Sequence, residues 1–224
     1  KLNSYLLSFF TDLAISLHLF FTLVEFQFRL HLKFLKMNAT IQQLQKEIRE
    51  KQQELIAARK QLPLQEIEDY TLIDKEGKEV QLSDLFGTSD ELLLIHNMGK
   101  ECPYCTMWAD GFRGFTEVIA DRMPWVLISP NEPAVLKAFS ENRNWQFKVL
   151  SFHDSAIGRD LGFEKLHEGK RSFMPGVSAL IRKNGNIYRV AYDYFGPGDY
   201  YNAAWHFFDL FPKGVNGWTP KYIY

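Results

Sequence analysis

The chain has 224 residues, of which 46% are hydrophobic and 15% aromatic, and its formal net charge is -1. This length and composition suffice for one sizeable buried core and exclude a disordered protein. The near-zero charge and the lack of a long Lys/Arg run argue against binding to nucleic acid or to an anionic membrane. Two cysteines cannot form the disulfide framework of a small secreted protein, which favours a reducing, cytoplasmic compartment.

The first 36 residues differ in composition from those that follow. They are rich in Phe and Leu, whereas the residues after Met37 are rich in Gln, Glu, Lys and Arg. The longest uncharged stretch, Leu13 to Val24, has 12 residues. A membrane-spanning helix needs about 20 apolar residues, so we expect none here. We predict that residues 1–36 are an upstream extension outside the folded domain; the alternative is an anchor, a presequence or an interface helix.

Apolar residues recur at three- and four-residue steps from Thr40 to Leu62, which predicts an amphipathic helix ending at Pro63. One interpretation is a coiled coil that forms a homodimer. The other is a helix that lies on its own domain or is swapped onto a partner. We favour the second, because Lys51 interrupts a seam that is only three heptads long. The predicted organisation is an N-terminal helical segment, 37–66, followed by the main domain, 67–224.

The main domain alternates between strand and helix patterns. Turn signals occur at Gly77 and at Asn184-Gly185, which predict two hairpins. The order of elements predicts an α/β domain with a mixed sheet flanked by helices, extended by an N-terminal helix and a β-hairpin. Predicted strands cover residues 70–74, 80–82, 91–96, 125–129, 147–151, 177–182 and 187–193; predicted helical segments cover 83–87, 106–122, 131–142, 155–162 and 199–210; and a polar loop is expected at 165–171.

Both cysteines lie between a predicted buried strand and the start of a helix, as Cys102-Pro103-Tyr104-Cys105. A cysteine attacks only as the thiolate, and the free N–H groups and positive dipole end of a helix stabilise that charge. Pro103 suits the first helical position. Cys102 is therefore the predicted nucleophile, and Cys105, one turn into the helix, is the predicted resolving thiol. This arrangement predicts a thiol-disulfide oxidoreductase that needs no cofactor.

Neighbouring residues leave several interpretations open. Lys100 would stabilise a thiolate at Cys102, whereas Glu101 opposes it. Asp110 is either a buried proton acceptor for Cys105 or an ordinary hydrogen-bonded carboxylate. Two glycines inside the predicted helix, Gly111 and Gly114, cost about 1 kcal/mol each relative to Ala, so either the helix bends there or close packing demands them.

Three other readings of the cysteine pair compete with redox chemistry. Simple core packing is disfavoured by the proline inside the pair. A metal-binding or metal-delivery module would need a histidine as a further ligand, because zinc usually takes four ligands and the chain has no second cysteine pair. A scaffold assembled through the 40–62 helix would give the dithiol no enzymatic role. The candidate histidine ligands are His96, His153, His167 and His206.

A second feature agrees with redox chemistry. Pro175 stands just ahead of the first strand of the terminal hairpin. A cysteine pair after a buried strand, followed by such a proline, resembles the thioredoxin superfamily. The resemblance implies that Pro175 is cis and lies against the active disulfide, and that the backbone of Met174 pairs with an extended segment of a partner.

Over Met37 to Tyr224 the chain is most similar to the domain of unknown function 899 family, described in general terms as predicted dithiol-disulfide oxidoreductases. The resemblance implies a site in which Lys100, Pro103, Tyr104, Trp108, Asp110, Met174 and Pro175 support the cysteines, and partners that are protein or small-molecule disulfides and thiols. Residues 97–101 lack the Pro and Thr that peroxiredoxins place before their peroxidatic cysteine, so peroxide reduction is not expected. The motifs that carry the resemblance are residues 68–70, 82–87, 96–100, 108–112 and 175–178.

Overall fold

A computed structural model describes the backbone of residues 2–224 and the side chains of residues 17–224. The chain divides into two compact units, one ending at Ala58 and the other spanning Arg59–Tyr224. The first unit consists of most of helix α1 (Leu2–Arg59), which includes nearly all of the helix predicted from Thr40 to Leu62. The assignment of residues 1–36 to a separate extension stays a prediction. Within the described residues, none of the helices is both long and apolar enough to span a bilayer.

The second unit contains a mixed sheet of eight strands in the order β1-β10-β9-β4-β5-β6-β2-β3, and a separate two-stranded sheet, β7-β8. Three central strands, β4, β5 and β6, are parallel, and β9 lies antiparallel beside β4. The strands are β1 (Gln65–Ile67), β2 (Thr71–Asp74), β3 (Glu79–Gln81), β4 (Glu91–His96), β5 (Trp125–Ser129), β6 (Val149–Ser151), β7 (Glu164–His167), β8 (Lys170–Phe173), β9 (Gly176–Lys183) and β10 (Asn186–Tyr194).

Six shorter helices accompany these strands in the second unit. A 3-10 helix (Leu82–Phe86) links the first hairpin to β4 and buries Leu82, Leu85 and Phe86. The α-helices are α2 (Pro103–Phe112), α3 (Thr116–Arg122), α4 (Pro133–Asn142), α5 (Ile157–Asp160) and α6 (Ala203–Phe208). The predicted architecture, a mixed sheet with flanking helices and an N-terminal helix, is confirmed.

The sheet separates two apolar clusters, and β4 contributes to both because successive strand residues point to opposite faces. Leu94 belongs to the cluster that contains Phe86, Phe152 and Phe163. Ile95 belongs to the other cluster, with Trp108 of α2. Helix α2 and its cysteines therefore pack on the face to which Ile95 points.

Four parts of the sequence-based assignment are wrong. Residues 165–171 are not a loop but the hairpin β7-β8, whose turn residues Glu168 and Gly169 have φ values of 49° and 75°. The helix predicted over 106–122 is split into α2 and α3 around residues 113–115. The last helix is confined to Ala203–Phe208, and β1 was not predicted at all.

Candidate active site

Cys102 occupies the N-cap of α2. Its backbone is extended (φ -100°, ψ 102°), and Pro103 follows at the start of the helix, where a missing N–H is harmless. The backbone N–H of Cys105 donates to the Cys102 Sγ at 3.1 Å. Cys102 is half-buried and Cys105 is buried, and neither is in a disulfide. The sulfur that accepts the helix N–H is therefore the more accessible of the two.

The loop before Cys102 is held by two asparagine side chains. Asn97 Oδ1 accepts the N–H of Gly99 at 2.7 Å, and Asn131 Oδ1 accepts the N–H of Lys100 at 2.8 Å. Gly99 has a φ of 103°, which other residues rarely adopt, and a Cβ there would meet Asn131 Oδ1 at 3.0 Å. These contacts hold the loop that leads to Cys102 at the start of α2.

Hydrogen bonds give the two thiols opposite acidities. The Cys105 side chain donates to Cys102 and lowers the pKa of Cys102 from 9.0 to about 7, aided by the backbone N–H groups of Cys105 and Tyr104 and opposed by burial. The same hydrogen bond, together with burial and the charge of Cys102, raises the pKa of Cys105 far above its ordinary value. Near neutral pH Cys102 is therefore the thiol of the pair that ionises, whereas Cys105 keeps its proton.

The charged neighbours of Cys102 neutralise each other. The Nζ of Lys100 lies 3.2 Å from Glu101 Oε1, and both side chains are exposed. The pKa of Cys102 is shifted by hydrogen bonds and burial, with no contribution from either of these side chains. Lys100 supports the site through its backbone, whose N–H is bound to Asn131 and whose carbonyl accepts the Tyr222 hydroxyl at 2.9 Å.

Pro175 lies near the dithiol, as the resemblance implies, but its peptide bond is not cis, which corrects that expectation. Pro175 and Cys105 line the same small cavity. The described residues contain no cis peptide bond, so Pro175 is trans. The trans form of an X–Pro bond is favoured by about 0.5–1 kcal/mol. Here the backbone groups on both sides of the bond are hydrogen-bonded in the trans form. The Met174 N–H donates to Phe163 O at 2.8 Å, so this N–H is already bonded and does not await a partner segment.

Aromatic side chains surround the start of α2. Trp108 is buried and stacks on Phe195 with ring centroids 6.0 Å apart. Tyr104, the inner residue of the motif, stacks on Trp205 at 6.1 Å. Trp108 also lines the small cavity beside Cys105. This aromatic packing fixes α2 against the terminal hairpin and α6.

Asp110 is paired with groups other than Cys105. Its carboxylate forms an ion pair with Arg143 and accepts the indole N–H of Trp145 at 2.9 Å. Arg143 in turn donates to the carbonyl of Tyr222 at 2.5 Å. Of the two interpretations, the ordinary hydrogen-bonded carboxylate is the one that the contacts support. Asp110 ties α2 to α4 and to the C-terminal segment.

The histidines do not complete a metal site with the cysteines. His96 follows Ile95 on β4 and so points to the opposite face of the sheet from α2. There its ring stacks on Phe163 at 3.7 Å, and its Nε2 lies 2.9 Å from Ser178 Oγ. Burial lowers the pKa of His96 well below its ordinary value, so the ring is neutral. In the part of the chain that the structure describes, His, Cys, Asp and Glu side chains form no cluster of three or more suited to a metal ion.

Sequence reasoning missed Asn131 and Tyr222. Asn131 lies 31 residues from Lys100, and Tyr222 lies 122 residues from it. Neither sits in a motif, so no local signal could have placed them at the site. Asn97, in contrast, lies within the motif of residues 96–100, and its position directly after a buried strand offered a signal.

The sheet arrangement and the position of the cysteines together define a class of protein. The dithiol caps the helix that follows β4, the next strand β5 is parallel to β4, and β9, the first strand of the terminal hairpin, is antiparallel to β4. A Cys-x-x-Cys pair in such a βαβ unit is the arrangement of thioredoxin-like proteins. The chain belongs to the family described as bacterial protein of unknown function (DUF899), whose model matches residues 31–222. Both predicted relationships are thus confirmed.

Solved structures similar to the chain include peroxiredoxins. Peroxidoxin BcpB from Mycobacterium tuberculosis is 23% identical, with 53% of this chain and 76% of that chain covered and a TM-score of 0.46. Reduced Prx3 from Vibrio vulnificus in complex with hydrogen peroxide is 20% identical, with coverage of 62% and 88% and a TM-score of 0.49. A comparison with curated proteins gave no match.

Proposed function

We propose that the protein is a thiol-disulfide oxidoreductase in which Cys102 is the nucleophile and Cys105 the resolving thiol. The observation that carries the proposal is the asymmetry of the pair. The half-buried Cys102 Sγ accepts the N–H of Cys105 at 3.1 Å and has its pKa lowered to about 7, while the buried Cys105 keeps its proton. An accessible thiolate next to a protonated thiol is the starting state for disulfide exchange.

The exchange has two steps. The Cys102 thiolate attacks a substrate disulfide R–S–S–R′; the S–S bond breaks, a Cys102–S–R bond forms and R′ leaves as a thiolate. The Cys105 thiol then loses its proton to the released thiolate or to water and attacks the Cys102 sulfur, which forms the Cys102–Cys105 disulfide and releases R as a thiolate. Two electrons pass to the substrate, and an external thiol reductant must restore the dithiol.

The electrostatics favour this order of events. Cys105 holds its proton chiefly because Cys102 is an anion that accepts its hydrogen bond. Once Cys102 is in the mixed disulfide, its charge and hydrogen-bonding role are gone, so the pKa of Cys105 falls. The resolving thiol is thus activated by formation of the intermediate that it must attack.

The test is a partner-trapping experiment with matched variants. Cys105→Ser should accumulate a mixed disulfide at Cys102, with protein or small-molecule disulfides as partners, and Cys102→Ser should form none. The wild type should accelerate insulin reduction by dithiothreitol, and Cys102→Ser should not. If Cys102→Ser kept the wild-type rate, the proposal would be wrong.

Peroxide reduction is measured with the same variants. The proposed activity excludes it, because residues 97–101 lack the Pro and Thr of peroxiredoxins. If the protein consumed hydrogen peroxide faster than it reduced insulin, and this consumption depended on Cys102, the protein would be a peroxidase and the proposal of dithiol exchange would be wrong. Cytoplasmic location belongs to the proposal as well, on the grounds of cysteine usage alone.

A further inference from the structure

An apolar cavity of about 240 Å³ lies on the face of the sheet that carries α2. Its floor is formed by two rows of side chains across β4, β9 and β10. In the first row Leu93 is opposite Ala179, which is opposite Ala191; in the second, Ile95 is opposite Val177. Two alanines paired in the centre of a face otherwise built from larger residues leave space that the neighbouring side chains do not fill.

The wall of the cavity comes from the helices and from β5. Phe112, Ile119 and Trp125 line it. Phe112 ends α2 and Ile119 lies in α3, so the cavity spans the break between these helices. Ile95, Phe112 and Phe195 also line the small cavity beside Cys105, so these three side chains separate the two spaces.

Three polar side chains whose charges cancel lie at one end of the cavity. Arg59 and Asp193 form an ion pair, and the Tyr201 hydroxyl donates to Asp193 Oδ2 at 3.0 Å. Burial and Asp193 raise the pKa of Tyr201 to about 12, so its hydroxyl stays protonated at neutral pH. Since the cation and the anion neutralise each other, this end offers hydrogen-bonding groups without net charge.

We propose that this cavity binds a small neutral molecule with an apolar, aromatic body and at most one hydrogen-bonding group, directed at Arg59, Asp193 and Tyr201. A concave apolar site with a few convergent polar groups is the usual form of a small-molecule site. An apolar protein cavity of about 150 Å³ holds benzene, which scales to roughly ten non-hydrogen atoms here. The inference is independent of the dithiol chemistry.

The test uses 5-fluoroindole and fluorine NMR with the full chain. We expect saturable binding with one site per chain. Ala179→Leu fills the floor and should weaken binding about tenfold or more, because overpacking a filled space is unfavourable. Ala203→Leu adds the same side chain at an exposed alanine that does not line the cavity, and should leave the affinity unchanged. Ala179→Val is the smaller second variant if Ala179→Leu does not fold.

Further arms of the test separate this site from the dithiol and from an anion site. Cys102→Ser should bind 5-fluoroindole as the wild type does, so loss of redox activity and loss of binding are distinguishable. 1-Naphthalenesulfonate should bind more weakly than 5-fluoroindole. The proposal is overturned if the wild type shows no saturable binding, if two folded cavity variants bind as well as the wild type, or if the sulfonate binds more tightly.

Discussion

The acidity of Cys102 depends on a single side-chain hydrogen bond more than on any charged neighbour. Cys105 is the first cause of the lowered pKa, whereas Lys100 is paired with Glu101. In the proposed exchange, the cysteine that resolves the mixed disulfide therefore also activates the cysteine that forms it. Removing Cys105 should have two separable effects, one on acidity and one on resolution.

The pH dependence of alkylation measures the first effect. Because the thiolate is the reactive form, iodoacetamide should modify wild-type Cys102 with a rate that rises with pH through about 7 and then levels off. Cys105→Ala removes the hydrogen bond and should move the midpoint up, toward 9.0. Cys105→Ser keeps a donor and should lie between the two. A midpoint in Cys105→Ala equal to that of the wild type would contradict this account.

Asp110 is expected to matter for stability and not for thiol acidity. Asp110→Ala removes the acceptor of the Trp145 indole N–H and the carboxylate paired with Arg143, so it should lower the free energy of unfolding by about 1–3 kcal/mol. The control is Asp121→Ala, at an exposed carboxylate on α3, which should change it by about 0.5 kcal/mol or less. Urea unfolding measures both variants. If the alkylation midpoint of Cys102 shifted in folded Asp110→Ala, this account would be wrong and Asp110 would be a proton acceptor for the dithiol.

At the scale of elements, the break between α2 and α3 explains why a glycine stands at position 111, whereas close packing does not. A Cβ built on Gly111 meets nothing within 4 Å. Of the two explanations drawn from the sequence, close packing on the sheet is therefore excluded, and the interruption of the helix is observed. Gly176 is the opposite case: a Cβ there would lie 2.3 Å from the carbonyl oxygen of Asp193 and 2.5 Å from the Phe163 ring.

These two glycines give a matched pair of substitutions. Gly111→Ala should raise the free energy of unfolding by about 0.5–1 kcal/mol, because alanine restricts the unfolded chain and fits the open site. Gly176→Ala should lower it by about 1–3 kcal/mol or more, since the backbone of β10 must move. Thermal and urea unfolding measure the difference. Equal effects of the two substitutions would show that the close approach at Gly176 is unimportant.

The elements that sequence reasoning found are those with a strong local pattern. The apolar runs of β4 and β5 indicate buried strands, and Asn184-Gly185 indicates the turn between β9 and β10, without any information from distant residues. The hairpin β7-β8 was missed because its strands are polar and exposed, with Glu168-Gly169 as the turn signal. Helix periodicity alone could not show that the chain leaves the helix at residues 113–115. At the candidate active site, the positions of the cysteines and Pro103 were predictable from the sequence, whereas those of Asn131 and Tyr222 depend on tertiary contacts.

At the scale of the whole molecule, α1 carries an apolar stripe that the described side chains of its own unit leave uncovered. The side chains of Ile41, Leu44 and Ile48 are each about half exposed. They recur at three- and four-residue steps, which places them on one face of the helix. Leaving such a face in water is unfavourable, at about 25 cal/mol per Å² of apolar surface. Pairing of this stripe with that of a second chain would remove the penalty.

The homodimer interpretation of the 40–62 helix predicts a dimer held together by this stripe, although Lys51 weakens the seam. Leu44→Glu with Ile48→Glu places two charges on the stripe and should shift the mass measured by light scattering from dimer to monomer. Gln42→Glu with Gln53→Glu adds the same charge on the side of the helix away from the stripe and should leave the dimer intact. The Cys102 alkylation profile should be the same in both double variants, because the dithiol site is built within residues 59–224. If the wild type were monomeric at micromolar concentration, the dimer would be refuted and the stripe would have to pack against something other than a second copy of the chain.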